Sequence, residues 1–167
     1  MAKPQDRFLQ ACFHPTHGRP ELRQIPPNTQ QARQHLDKAH KNLRAMQLMY
    51  REEHFDWTVV CGYYAMYHAV LAALYHIGLS ASSHRCALVA FRRFYIDRGK
   101  VPPAYSKFLQ RAQQLKKHYA ERLEEARRTR TVVQYEIEEL TNDDAEWILE
   151  EAKAFVLPQF NNEVQHL

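Results

Sequence analysis

An all-α fold is what this sequence predicts: an up-and-down antiparallel bundle of four to five helices preceded by an irregular N-terminal arm. Three observations carry that prediction. Ala and Leu together number 35 of the 167 residues, against 20 for Val, Ile and Thr, a composition that favours helix over strand. Only 4 residues are glycine, few for the tight turns of a sandwich or barrel, or for a phosphate-cradling loop. Apolar positions recur at alternating spacings of three and four through most of the chain. With 45% hydrophobic and 25% charged residues and a net charge of +4, the chain has the apolar content to fold as one domain and is not of disordered composition.

Residues 1–27 hold five of the eight prolines and no sustained period, which predicts the irregular arm. The bundle is expected over residues 28–158 and a short tail over 159–167. Asn28 or Thr29 caps a first helix, whose seam of Ala32, Leu36, Ala39, Leu43 and Met46 runs to about His54, at helical spacing. Asp56 is expected to cap a second helix, stopped by Gly78 in a left-handed conformation. From Trp57 to Ser83 this segment has no formal charge over 27 residues, long enough to span a bilayer. His68, His76 and four tyrosines within it, with amphipathic helices on either side, favour a buried central bundle helix and no membrane.

Ser82 or Ser83 caps a third helix facing inward through Ala87, Leu88, Phe91, Phe94 and Tyr95, expected to end at Gly99 before Pro102 and Pro103. A fourth begins near Ala104 with a seam of Phe108, Ala112, Leu115, Tyr119, Leu123 and Ala126 that continues to position 130 and Val133. At 1.5 Å per residue it would reach about 45 Å, longer than a domain of this size is wide, so part of it should project. Thr141, with Asp143 and Asp144 in the first turn, starts a fifth helix, striped by Ala145, Ile148, Ala152 and Phe155 and stopped by Pro158.

Cys12, Cys61 and Cys86 are odd in number and widely spaced, with no CxxC pair. That predicts neither a disulfide framework nor a zinc cage, and points to a reducing, cytoplasmic environment. No cluster of His, Cys and carboxylates at metal-ligand spacing is visible, so neither metal nor cofactor is expected.

The segments CGYYAMYHAVLAALYHIGL, SSHRCALVAFRRFYIDRGKV and AEWILEEAKAFV resemble the HEPN family (higher eukaryotes and prokaryotes nucleotide-binding), in its small stand-alone prokaryotic branch. The likeness covers about residues 30–157. It implies a helical bundle that pairs as a homodimer, acts with RNA or a nucleotide, and in some members partners a minimal nucleotidyltransferase. HEPN ribonucleases, the resemblance implies, use an Arg followed four to six residues later by His, two copies meeting in one cleft. The matching segment here is RTVVQY, Arg130 to Tyr135, with Val133 and Gln134 where the family has Ala-Asp, and no His stands four to six residues after Arg130.

The chemistry explains the pair: a neutral imidazole takes the ribose 2′-hydroxyl proton while a guanidinium holds the charge gathering on the attacked phosphate, without metal. Tyr135 stands five positions after Arg130; a phenol, with its pKa near 10, suits an acid or orienting role better than that of a base. Arg130 falls on the seam of the fourth helix by spacing, where it needs either a carboxylate partner or an anionic ligand. Arg111 and His118, seven apart on one helical face, form an alternative catalytic pair. His68 and His84 lie in the motifs and read as hydrogen-bonded core residues, and Tyr63, Tyr64 and Tyr67 as core or dimer seam.

Charge is segregated. Ala104 to Arg130 holds eight basic and three acidic residues, and Glu136 to Lys153 eight acidic and one basic. Packed antiparallel, the two helices can cancel these charges. Alternatively Lys116, Lys117, Arg122, Arg127 and Arg128 form an RNA-facing stripe. Two functions follow: a metal-independent endoribonuclease, the toxin or effector half of a two-gene system, or a non-catalytic module that binds a nucleotide or protein and scaffolds a complex.

Overall fold

A computed structural model describes residues 4–128 and 141–156. Among these residues the chain is predominantly α-helical: α1 Pro4–Phe13, α2 Thr29–Arg51, α3 Phe55–His76, α4 His84–Phe91, α5 Ala104–Arg128 and α6 Asn142–Val156, with two three-residue strands, β1 Leu22–Gln24 and β2 Leu79–Ala81. A π-helical turn, Arg92–Ile96, prolongs α4.

The bundle forms around α3. It is long and apolar enough to cross a membrane, but 72% of its most apolar stretch is buried inside the protein. A helix apolar on every side needs cover on every side, and α2, α4, α5 and α6 all pack on α3, α2 most extensively. The predicted seam of α2 is the buried one: Ala32, Leu36, Ala39, Leu43 and Met46. On α6 the predicted stripe of Ala145, Ile148, Ala152 and Phe155 is buried, together with Leu149 and Val156.

Caps fix the ends. Asn28 Oδ1 accepts from Gln31 N at 2.9 Å, and Ser83 Oγ accepts from Cys86 N at 3.3 Å. At α6, Thr141 Oγ1 accepts from Asp144 N at 3.3 Å while Asp144 Oδ2 accepts from Thr141 N at 3.4 Å, a reciprocal box that satisfies donors left open at a helix start. Gly78 stops α3 at φ +78°. Its missing Cβ matters, because one would stand 2.5 Å from the Ile25 carbonyl oxygen, where β1 leaves its ladder.

Four expectations are corrected. The N-terminal arm is not irregular: Pro4–Phe13 is helical, and Leu22–Gln24 pairs antiparallel with β2 in the register Leu22↔Ala81. Cys12 and Cys86 are joined in a disulfide across 74 residues of sequence, leaving Cys61 the free thiol; α1 packs on α4, a proximity that cysteine spacing does not express. Asp56 is not the cap of α3, for His54 holds that position without a side-chain bond and Asp56 lies in the first turn. The third predicted helix does not run unbroken to Gly99, since α4 gives way to the π turn after Phe91. The expected extension past Arg128 towards Val133, the stop at Pro158 and the tail 159–167 lie outside the described residues.

Candidate nucleic-acid interface

Three elements, α3, α4 and α5, bring a patch of rings and one cation together. Tyr63, Tyr64, Tyr67 and His68 recur on adjoining faces of α3 at spacings of one and four. Ser83 caps α4 and so sets His84 as its first residue, directly over these rings. The His84 imidazole stacks on Tyr67 with centroids 4.0 Å apart and planes 14° apart, and Tyr63 stacks on Tyr67 at 6.0 Å. Tyr63 Oη lies 2.5 Å from His84 Nδ1. From α5, Lys116 donates to Tyr64 Oη at 3.0 Å, its Nζ 4.5 Å from the Tyr64 centroid and 4.9 Å from that of Tyr63. Rings beneath an ammonium stabilise the cation through their quadrupoles by about 0.5–2 kcal/mol.

The electrostatics favour the neutral imidazole of His84 and the protonated phenols of Tyr63 and Tyr67. Burial, then the Lys116 charge, holds His84 below the ordinary histidine range. Burial pushes Tyr63 above the ordinary phenol value and Tyr67 up to about 12. We assign the proton of the Tyr63–His84 contact accordingly: the hydroxyl donates to Nδ1, which leaves the imidazole proton on Nε2. Beside Lys116 opens a recess of about 600 Å³, lined by Tyr63, His84, Gln110, Gln113, Gln114 and Lys117 as well. A neutral imidazole, two lysines and three amides together suit an anionic ligand that also carries hydrogen-bonding edges.

A second polar pair adjoins the first. His35 Nδ1 on α2 faces His68 Nδ1 at 3.0 Å, and His35 also stacks on Tyr75 at 5.2 Å. One Nδ1 must carry the proton and the other accept it, so the pair cannot hold its bond with both rings charged. Burial first, then His68 and Lys38, lowers His35 to about 4, and burial and Lys38 lower His68. A histidine depressed in the folded state favours folding fully above its unfolded pKa. That contribution is lost as the pH falls from the ordinary 6.5 through about 4. The thermal midpoint is therefore expected to drop over this interval, and His35→Gln to flatten the drop; unchanged melts between neutral pH and pH 5 would refute the pairing.

Among the other predicted residues, Arg111 is tied to α6: its Nη2 is 3.5 Å from Asp144 Oδ1 and its guanidinium carbon 4.3 Å from the Trp147 centroid. This is one contact through which the basic and acidic helices offset each other. Lys117 lines the recess beside Lys116. His118, Arg122, Arg127 and Arg128 are carried on α5, their side chains outside the described residues, and Arg130 and Tyr135 lie outside them altogether. The structure thus brings His84, Lys116 and Lys117 together, with His68 on the adjoining pair. Sequence reasoning missed His35, although it stands three after Ala32 and one before Leu36, beside the buried seam. It also missed Gln110, Gln113 and Gln114, whose spacing puts them on one side of α5. Among the described residues no three His, Cys, Asp or Glu side chains could share a metal ion.

Comparison with curated proteins and with solved structures returned no match. The family model of the HEPN domain matches residues 32–161, from the first turn of α2 to beyond α6 and across every residue of the ring patch. Matched over most of its length, the chain belongs to the HEPN family, and its function is accordingly a nucleotide- or RNA-related one.

Proposed function

We propose that this HEPN protein acts on RNA as a metal-independent endoribonuclease, working as a homodimer and forming the toxin or effector half of a two-gene system with a minimal nucleotidyltransferase. The observation that supports an RNA partner best is the recess beside α5, where Lys116, Lys117, His84 and three glutamines converge. In the reaction the 2′-hydroxyl loses its proton and attacks the neighbouring phosphorus, the 5′-oxygen of the next nucleotide leaves with a proton, and a cyclic phosphate remains. Arg130 holds the charge that gathers on the phosphate, and Tyr135 orients it or supplies a proton. Exposed Leu48 and Trp57 at the α2–α3 end offer apolar surface for a second copy.

Cleavage of RNA is expected to persist with chelator present and to leave cyclic phosphate ends. Arg130→Ala should reduce it by about 10²–10³-fold with the helical fold retained, and Arg111→Ala with His118→Ala should not, because the segment that resembles the ribonuclease motif begins at Arg130. Loss of cleavage on chelation would refute the mechanism. One observation favours a second reading, a non-catalytic module that binds a nucleotide or protein and scaffolds a complex: no histidine follows Arg130 at the ribonuclease spacing. RNA binding without cleavage at any protein concentration would select it.

A further inference from the structure

The recess beside Lys116 has a neighbour. A second cavity of about 690 Å³ is lined by Arg85, Arg92 and Arg93 from α4 and its π turn, with Ser106, Gln110 and Gln113 across from them on α5. Gln110 and Gln113 belong to both cavities. His84, at the start of α4, shares the first recess with Lys116, and Arg92, just beyond α4, shares the second with Ser106. Joined at Gln110 and Gln113, the two cavities form one groove along α5. From Ser106 to Lys117 the groove extends about 16 Å at 1.5 Å per residue.

Five cations line this groove: Arg85, Arg92 and Arg93 in the larger cavity, Lys116 and Lys117 in the recess beside it. The carboxylates beside the arginines hold them weakly. Arg92 Nε is 3.7 Å from Asp97 and Arg93 Nε 3.9 Å from Asp6, with all four side chains 39–49% exposed. Exposed pairs at such distances contribute little, so a phosphate can take their place. Arg85 lies 3.9 Å over the Phe8 ring and has no carboxylate partner among the described residues. We infer that the α4–α5 groove seats single-stranded RNA, with phosphates on the cations of both cavities and bases against Gln110 and Gln113, which the cavities share. Terminal amides read the exposed edges of splayed bases, and cations along a groove track a flexible backbone. An A-form duplex pairs its Watson–Crick edges internally and closes its major groove to side chains, so it cannot splay bases into a recess. The inference rests on the RNA reading above. It is independent of which residues cleave, and it assigns recognition to α4, which the distal stripe Arg122, Arg127 and Arg128 would not involve.

The test uses the full chain and a labelled, unstructured RNA of about 12 nucleotides, titrated by anisotropy between about 50 and 200 mM salt. Arg85→Gln with Arg93→Gln, and separately Lys116→Gln with Lys117→Gln, should each weaken binding at least tenfold and flatten the salt dependence by about 0.7 per lost contact. The same sequence as a duplex should bind at least tenfold more weakly. Circular dichroism confirms that each variant is folded, and Gln110→Ala with Gln113→Ala provides a charge-neutral second variant that should weaken binding and leave the salt slope unchanged. Wild-type binding that is indifferent to both cation pairs, equal affinity for duplex, or a loss confined to Arg122, Arg127 and Arg128 changed together would overturn the groove and leave the RNA reading standing. Absence of RNA binding by the wild-type protein would overturn both.

Discussion

Cys12→Ser with Cys86→Ser is expected to lower the free energy of unfolding by about 4 kcal/mol, the loop-closure term for a link across 74 residues. The bond closes a ring that contains β1, α2, α3 and β2, and it fastens a short helix. Among the described side chains of α1, Leu9 and Cys12 are buried and Phe8 and Phe13 pack partly on the core, so the bond reinforces a small noncovalent contact. Denaturant titration of the oxidised protein, the reduced protein and the double variant checks this. The last two should coincide, with midpoints well below the first; a difference under about 1 kcal/mol between oxidised and reduced forms would mean that α1 is held by its noncovalent contacts. Reduction should also separate Asp6 from Arg93.

The second large effect is expected at Gly62. In mid-helix a glycine costs about 1 kcal/mol relative to alanine, so its presence there demands a reason. The reason is contact: a Cβ would stand 2.5 Å from Ile148 Cγ1 on α6 and 3.1 Å from Met46 Sδ on α2. Three helices meet at that point, and the obstructing atom on Ile148 is near its backbone, not at a flexible tip. Gly62→Val should therefore destabilise by about 3 kcal/mol through overpacking, despite the gain in helix propensity. Pairing it with Ile148→Ala should cost less than the sum of the two single changes, the sign of a shared volume. Additive costs would place the strain elsewhere.

These sites show where the sequence was legible. The α2 seam and the uncharged α3 could be read because a helix of twenty residues repeats its signal several times, and the caps at Asn28, Ser83 and Thr141 because the capping side chain is local. Strands of three residues repeat nothing, which is why β1 and β2 were missed. In α1 the signals were present, Pro4 at the first helical position and Asp6 in the first turn, but the prolines that follow dominated the reading of the segment. The disulfide, the His35–His68 contact and the Lys116–Tyr64 bond join residues separated by 74, 33 and 52 positions. No local period encodes such pairs; they follow from which helix faces which. The motif histidine His84 was legible as a hydrogen-bonded residue, whereas its bond to Tyr63, 21 positions away, follows from how α4 docks on α3, and the glutamines across the recess became visible only with α5 in place.

The π turn after α4 has a consequence for how relatives of this chain should vary. Its wide bond, Asp97 N to Arg92 O at 2.8 Å, spans five residues, so the segment accommodates one residue more than an α-helix of equal rise. One extra residue is what produces such a turn, and from within it Tyr95 donates a buried bond to the Ala73 carbonyl at 2.7 Å. Each α-helical residue turns the next by about 100°. A homologue without the extra residue would carry its aromatic side chain off that carbonyl and rotate everything after it, including the approach to α5. Length in this five-residue stretch, more than identity within it, should thus divide relatives that share the α4–α5 groove from those that do not.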